Sequence, residues 1–167
     1  MNYLLDANTF IEAKNRYYSM TICPGYWQWL LQSNKHCGVS SIEFIKKELI
    51  NGNDELAIWA KEHPGLFESN DDEATQLAFA NVVNYVMSLT EMKDGTHEEF
   101  LRGADPWLIA KAITTGSVIV THEKLDKKIK RKILIPNICE HFKVSYINTF
   151  ELLNNLEAQF VMHTSTP

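Results

Sequence analysis

Four carboxylates stand where a divalent cation could be bound. Asp6 directly follows the first apolar run of the chain, and Glu123 comes shortly after a later apolar run. Asp105 precedes a proline at a predicted helix start, and Glu48 lies in the last turn of another predicted helix. Magnesium and manganese prefer oxygen ligands and keep several waters, so a few convergent carboxylates can bind them. This set predicts a carboxylate cage for Mg²⁺ or Mn²⁺ that supports metal-assisted phosphodiester hydrolysis by an activated water.

Each of these acids also has an ordinary explanation. The chain contains 21 acidic residues, and a carboxylate is more often a solvated surface group than a ligand. Asp105 could serve only as a helix cap. Glu48 competes with Glu43, which points to a different face of the same predicted helix. Asp6 is the strongest single candidate, because an acid at the end of a strand has no structural need to be charged.

Short apolar runs alternate with segments of helical periodicity. Strands are predicted at residues 3–5, 37–39, 118–120 and 144–147. Helices are predicted at residues 9–18, 26–32, 41–50, 54–62, 70–89, 105–116 and 136–141, and from residue 148 onward. This alternation predicts an α/β fold with a parallel sheet flanked by helices. Ligands of such sheets bind beyond the carboxyl ends of the strands, which is where Asp6 and Glu123 stand.

Capping patterns predict several of the helix starts. A Ser, Thr or Asn followed three positions later by Glu occurs at residues 9–12, 40–43, 70–73 and 148–151. Asp105 followed by Pro106 predicts an N-cap and the first helical position. The basic stretch at residues 124–132 is predicted to be a loop or a frayed helix.

The size and composition of the chain predict a single domain. With 167 residues, of which 45% are hydrophobic, one core is expected at residues 1–157, and residues 158–167 are expected to be a frayed tail. No apolar run approaches the roughly 20 residues that span a bilayer, and Asp6 interrupts the first apolar stretch. We therefore expect a cytoplasmic protein that makes no membrane contact.

Charge and cysteine content narrow the functional classes. The three cysteines are widely spaced and form no CxxC pair, so free thiols are expected rather than a zinc site or a disulfide framework. The net charge of −5 argues against a protein that coats nucleic acid non-specifically, because such binding is driven by phosphate neutralisation. It remains compatible with an enzyme that has a local basic rim.

Candidate substrate contacts lie beside Glu123. Residues 124–132 contain six basic side chains, among them Lys124, Lys127 and Lys128. They could hold a phosphate backbone, and a plain solvated loop is the alternative. His122 could orient a phosphate or relay a proton, because the unperturbed pKa of histidine is near neutrality, or it could be a second-layer or surface residue without a catalytic role.

Aromatic residues cluster near the amino end of the chain. They are Tyr17, Tyr18, Tyr26, Trp27 and Trp29. Aromatic rings can stack on bases, but their helical spacing favours core packing or a protein interface. An apolar helical surface in this region would suit a homodimer.

The four acidic segments resemble the motifs of the PIN-domain family of metal-dependent nucleases, which includes the VapC-type toxins of bacterial toxin–antitoxin pairs. Leu-Leu-Asp-Ala-Asn at residues 4–8 resembles the opening motif, and Lys-Glu-Leu at residues 47–49 the second acidic motif. Ala-Asp-Pro-Trp-Leu-Ile-Ala at residues 104–110 resembles the third, and Val-Thr-His-Glu-Lys-Leu-Asp at residues 120–126 the fourth. In order and spacing, the resemblance covers residues 2–150.

The resemblance implies a three-layer α/β/α sandwich with a central parallel sheet, a Mg²⁺ or Mn²⁺ cofactor and single-stranded RNA as the substrate. It makes Asp6, Glu48 and Asp105 the principal acids, Glu123 the variable fourth and Asp126 a fifth. Substrate contacts are expected from Asn8, Thr121, His122, Lys124, Lys127 and Lys128. The chain departs from the family pattern through glutamate at position 123, His122 beside it and the long middle at residues 53–102.

Three functions follow as hypotheses. The first is a PIN-type endoribonuclease, and its more specific form is the toxin of a toxin–antitoxin pair that binds an antitoxin protein and forms a homodimer. The second is a catalytically silent PIN-like module that binds a protein partner through its aromatic amino-terminal surface. The third is a DNA-directed, flap-type nuclease of related fold.

Overall fold

A five-stranded parallel sheet forms the centre of the molecule. The computed structural model describes residues 1–162. The strands are β1 (Tyr3–Leu5), β2 (Val39–Ile42), β3 (Phe67–Glu68), β4 (Val118–Val120) and β5 (Tyr146–Ile147). Their order across the sheet is β3-β2-β1-β4-β5, and every neighbouring pair is parallel. The parallel sheet predicted from the sequence is therefore confirmed.

The strand order reverses at β1. Tyr3 is paired with Val39 of β2 on one side and with Val118 of β4 on the other. The chain thus builds one half of the sheet outward from β1 and later returns to build the other half. In open α/β sheets, the crevice between the carboxyl ends of two such strands is the usual ligand site. The crevice between β1 and β4 is therefore where a functional site is expected.

Helices cover both faces of this sheet. Within residues 1–162 they are α1 (Ala7–Glu12), α2 (Pro24–Cys37), α3 (Glu43–Asn51), α4 (Glu55–Glu62), α5 (Glu73–Met87), α6 (Thr96–Arg102), α7 (Asp105–Thr115), α8 (Ile135–Phe142) and α9 (Thr149–Asn155). Every residue of β1, β2 and β4 is buried, as expected for a parallel sheet between two helical layers. The predicted α/β class and α/β/α sandwich are confirmed.

Three of the four predicted capping boxes, at residues 9–12, 40–43 and 70–73, are wrong. The first helix begins at Ala7, and Thr9 lies inside it, where its hydroxyl donates to the Asp6 carbonyl oxygen at 2.6 Å. Residues 40–42 belong to β2, so the third helix begins only at Glu43. The local capping preference of serine is overridden there because β2 pairs with strands on both of its sides.

Other helix starts differ by one or two residues from the prediction. Asp72, rather than Asn70, caps α5 and accepts from the Thr75 backbone N–H at 2.8 Å. The N-cap of α7 is Ala104, so Asp105 is the first helical residue. The capping box between Asn148 and Glu151 is confirmed, with both reciprocal hydrogen bonds formed.

Several elements were placed imperfectly or missed. The second strand lies at Val39–Ile42 and so begins two residues after its predicted start. The reason is that α2 extends to Cys37 and is capped by Gly38. Strand β3 and helix α6 were not predicted. Both lie in the long middle of the chain, where β3 has only two residues and α6 only seven. Elements this short carry little periodic signal.

The aromatic cluster near the amino end is mainly internal. Tyr26 and Trp27 are buried, and Tyr18 stacks on Tyr26 with ring centroids 4.4 Å apart. Phe160 follows the last helix, and its ring centroid lies 6.0 Å from that of Tyr18 and 6.2 Å from that of Trp29. Packing therefore continues beyond residue 157. Residues 163–167 of the predicted tail lie outside the described residues.

All three cysteines are free thiols, and Cys139 is buried, as the spacing of the cysteines predicts. Among residues 1–162, no helix combines the length and the apolar character that crossing a membrane requires.

Candidate active site

A pocket of about 250 Å³ opens at the carboxyl ends of β1 and β4. The three predicted principal acids, Asp6, Glu48 and Asp105, and the predicted variable fourth, Glu123, all line it. They come from four separate elements or their flanking loops: the end of β1, the helix α3, the start of α7 and the loop after β4. The structure thus brings together carboxylates that are up to 117 residues apart in the sequence.

Asp6 lies at the bottom of this acid pocket. Its backbone N–H donates to the Val120 carbonyl at 3.0 Å, which continues the pairing of β1 with β4. Its carboxylate accepts from the Thr121 hydroxyl at 3.0 Å. Only 2% of Asp6 is exposed. Burial, followed by the negative charge of Glu123, raises the pKa of Asp6 to about 7, although the Thr121 hydrogen bond opposes this rise.

Asp105 enters the pocket from the first turn of α7. Burial raises its pKa to about 8, and the charges of Asp6, Glu123 and Glu48 add to this rise. Lys132 opposes it. Two neighbouring carboxylates with raised pKa values indicate a site where negative charge is poorly compensated by the protein itself.

Glu48 connects two helices at the edge of the pocket. Its Oε1 accepts from the backbone N–H of Ala104 at 2.9 Å, across 56 residues of sequence. Ala104 is the N-cap of α7 and cannot cap through its own side chain. Glu48 therefore satisfies an N–H at the start of α7, where a negative charge also interacts favourably with the helix dipole. The hydrogen bond holds Asp105 in place relative to α3.

Glu123 is engaged at both carboxylate oxygens. Oε1 accepts from the Lys132 ammonium at 3.0 Å, and Oε2 accepts from the Ile135 backbone N–H at the start of α8 at 2.7 Å. Hydrogen bonding to Glu123, together with the charges of Asp105 and Asp6, raises the pKa of Lys132. Lys132 itself lines the acid pocket. The pocket therefore contains one protein cation among its acids.

Sequence reasoning did not single out Lys132 from the basic stretch. Its side chain is 65% exposed, while that of Glu123 is 11% exposed, so the lysine lies over the pocket from the solvent side. Its neighbours Lys130 and Arg131 have the same charge but line a separate surface concavity without lining the acid pocket. Only the path of the loop brings Lys132, and neither Lys130 nor Arg131, to the acid pocket. No local sequence signal predicts this difference.

Glu99 is a further acid that the prediction missed. It projects from α6 and lines the pocket beside Phe100 and Gly103. The short helix α6 gave no clear periodic signal, so its place at the pocket could not be inferred from the sequence.

Asp126 does not join the other acids, which corrects its predicted place in the cage. It is exposed, its Oδ1 accepts from the Lys128 backbone N–H at 2.9 Å, and it lines a different surface concavity. Lys127 and Lys128 also lie outside the acid pocket. After Glu123 the chain turns away from the sheet, so three residues suffice to carry Asp126 out of the site.

The remaining predicted contacts divide between two cavities. Asn8 lines the acid pocket, and the buried Thr121 supports Asp6 from beneath it. His122 and Lys124 line a neighbouring cavity of about 510 Å³ that shares Glu123 with the acid pocket. The His122 Nε2 lies 3.0 Å from the Thr149 hydroxyl, and burial lowers the pKa of this histidine. His122 is thus beside the acid pocket rather than in it.

The donor set of the acid pocket fits a hard divalent cation. Five carboxylates line it, and a cation would relieve the repulsion that adds to burial in raising the pKa values of Asp6 and Asp105. As positioned, no three His, Cys, Asp or Glu side chains of residues 1–162 form a ready metal-binding group. Mg²⁺ needs only one or two carboxylates and completes its shell with water, so Asp6 and Asp105 satisfy its requirement.

A solved structure has the same fold. The crystal structure of VapBC2 from Rickettsia felis bound to a DNA fragment from their promoter matches with a TM-score of 0.53 and 13% identity. The match covers 89% of this chain and 98% of that chain. At this identity the likeness concerns the fold, and it supports the predicted PIN-like architecture.

Two sequence comparisons complete the placement of the chain. No curated protein matches it. The sequence profile of a family described as "Domain of unknown function (DUF4411)" matches residues 3–160, nearly the whole chain. The protein therefore belongs to the DUF4411 family.

Proposed function

We propose that this protein is a PIN-type nuclease that hydrolyses RNA phosphodiesters with the help of Mg²⁺ or Mn²⁺. The observation that carries the proposal is the acid pocket at the β1–β4 crevice. There, burial and the negative charges of neighbouring acids raise the pKa values of two carboxylates, Asp6 and Asp105, and the only basic side chain that lines the pocket among residues 1–162 is Lys132. A fold shared with VapBC2 supports the same proposal.

The residues of the pocket have separate roles in this proposal. Asp6 and Asp105 hold the cation, and the Thr121 hydroxyl orients the Asp6 carboxylate. Glu48 keeps the start of α7 in place through Ala104 and thereby positions Asp105. A bound divalent cation supplies Lewis-acid chemistry, which polarises a phosphate and lowers the pKa of water. Asn8, exposed at the rim, contacts the substrate.

RNA is the preferred substrate class in this proposal. The loop at residues 124–132 carries six basic side chains beside a pocket that is otherwise acidic. Such a loop can hold the backbone phosphates on either side of the bond that is cleaved. Cleavage of matched RNA and DNA single strands distinguishes an RNA-directed enzyme from a DNA-directed one.

A toxin role is the more specific form of the proposal. In it, the chain arrests growth when expressed alone, and the product of a neighbouring gene relieves the arrest by binding the chain as an antitoxin. Expression with and without the neighbouring gene tests this role separately from the nuclease chemistry. Light scattering of the purified protein tests the predicted homodimer.

The central experiment replaces the two proposed cation ligands. We expect Asp6→Asn and Asp105→Asn each to lower the rate of Mg²⁺-dependent RNA cleavage at least about 100-fold, since even outer-layer partners of a metal site are worth about 10- to 100-fold. Asp94→Asn is the matched control, because Asp94 is an exposed aspartate that does not line the pocket. Unchanged turnover in both pocket variants contradicts the proposal.

A further inference from the structure

The contact between Lys132 and Glu123 bears on how many cations the acid pocket can hold. Glu123 is only 11% exposed, and its two oxygens accept from the Lys132 ammonium at 3.0 Å and from the Ile135 N–H at 2.7 Å. The second of these bonds belongs to the start of α8, so the carboxylate is held from the protein side as well as from the loop.

The other acids of the pocket are not equivalent to Glu123. Glu48 Oε1 is bonded to Ala104 N–H at 2.9 Å, and Asp6 receives the Thr121 hydroxyl at 3.0 Å. Only Glu123 is bonded to a charged group among the acids that line the pocket within residues 1–162. Its side of the pocket is therefore already neutralised by a cation that belongs to the chain.

Two-cation phosphodiester sites place their ions about 3.5–4 Å apart, where the two ions together stabilise the attacking and leaving oxygens. Here one of the pocket's carboxylates, Glu123, is engaged by the Lys132 ammonium, and a second cation beside Glu123 would be repelled by that ammonium. Displacement of Lys132 would leave Glu123 free but would also remove the charge that compensates it.

We propose that Lys132 holds Glu123 so that the pocket binds a single divalent cation, and that the Lys132 ammonium supplies the positive charge that a second cation would otherwise bring. The inference rests on the proposed function, because it assumes that the pocket binds a cation. Lys132 is a positioning residue in this account, because it acts through its hydrogen bond to Glu123.

The experiment counts Mn²⁺ ions bound to the full chain by equilibrium dialysis and electron paramagnetic resonance. We expect the wild type to bind one Mn²⁺ in the pocket. We expect Lys132→Met to bind Mn²⁺ at least about tenfold more tightly, because a neighbouring like charge is removed and Glu123 is released. Lys132→Gln, which keeps a polar group, should shift affinity in the same direction.

Two further variants isolate the mechanism. Lys132→Met combined with Glu123→Gln should return the affinity to within a few fold of the wild type, because the released carboxylate is gone. Lys130→Met removes one positive charge from the same exposed loop without changing the pocket lining, and it should leave affinity unchanged. Because Lys132 is 65% exposed, its truncation removes little packing from the core.

The possible results separate this inference from the proposed function. Two Mn²⁺ ions per wild-type chain, or equal affinities of the wild type and Lys132→Met, overturn the role of Lys132 while the nuclease proposal stands. A wild type that binds no Mn²⁺ overturns both. Loss of metal-dependent cleavage in Asp6→Asn, measured in parallel, shows which of the two has failed.

Discussion

Asp6 and Asp105 illustrate how a functional pocket costs stability at the residue scale. Both carboxylates are placed in a crevice where burial and neighbouring acids oppose their ionisation. Neither effect acts in the unfolded chain, so the pKa of each carboxyl group falls when the protein unfolds. Sites of this kind are usually retained because a ligand needs them rather than because the fold does.

The sign of the resulting pH dependence follows from the pKa values. The folded-state pKa of Asp105 is about 8, against 3.8 for the unconstrained group. The protonated form of Asp105 therefore favours the folded state. This contribution to stability is complete at pH values below the pKa of Asp105 in the unfolded chain. It is lost progressively as the pH rises from about 4 to about 8. Asp6 behaves in the same way up to about pH 7.

Asp105→Asn should therefore stabilise the metal-free protein. In a chelator, we expect the free energy of unfolding to rise on the order of 1–3 kcal/mol at about pH 8, and by less at about pH 5, because asparagine cannot ionise. Urea denaturation at the two pH values measures the difference. The exposed Asp94→Asn should show no such dependence on pH, and an equal effect of Asp105→Asn at both values would contradict the assigned pKa shift.

The points where helices and strands begin and end position the acids. At one of these points a glycine, Gly38, permits a direct change from helix to strand. Helix α2 ends at Gly38, which has a left-handed φ of +65°, and β2 begins at the next residue. The Gly38 carbonyl accepts from the Tyr3 N–H at 2.8 Å, so this turn also places the start of β1. A Cβ at position 38 would collide with the side chain of Asn2.

Gly38→Ala should therefore destabilise the fold more than a comparable change elsewhere. A left-handed backbone costs a non-glycine residue about 1–2 kcal/mol, and displacement of the Asn2 side chain adds to this cost. Gly116→Ala is the matched control, because Gly116 has a φ of +66° but no atom within 4 Å of the added Cβ. Denaturant midpoints compare the two. If both variants lose equal stability, the collision with Asn2 has no consequence.

At the scale of the whole molecule, the acid pocket is assembled from parts of the chain that lie far apart in the sequence. Its acids follow β1, lie on α3, α6 and α7, and stand in the loop after β4, so no fragment shorter than residues 6–123 contains all of them. A ligand that binds this pocket therefore binds only the folded state and stabilises the whole molecule by mass action. This coupling provides a test that does not depend on knowing the substrate.

Mn²⁺ or Mg²⁺ should raise the melting temperature of the wild type. At 100 times its dissociation constant, a ligand specific for the folded state adds about 2.7 kcal/mol. Differential scanning fluorimetry with and without the cation measures the shift. We expect the shift to vanish in Asp6→Asn and Asp105→Asn and to persist in Asp94→Asn. A wild type that shows no shift would favour the catalytically silent binding module.

Particular residues show where sequence reasoning succeeded and where it could not. The buried runs that became β1 and β4 were evident from their apolar composition, and the acids that follow them met because parallel strands end at the same edge of the sheet. The Ser40–Ser41 capping pattern misled because strand pairing, a long-range interaction, outweighed a local one. The two short elements of the long middle, β3 and α6, carried too few residues for a periodic signal.

The amino-acid sequence by itself determined the α/β architecture and four of the five acids that line the pocket, because hydrophobic periodicity and the position of acids at element ends are local properties. Only the tertiary structure decided which charges share the site. It placed Lys132 against Glu123, added Glu99 and left Asp126 outside. The physical reason is that six basic side chains on one loop are equivalent along the sequence, and only the path of that loop over the sheet brings one of them within bonding distance of a buried carboxylate.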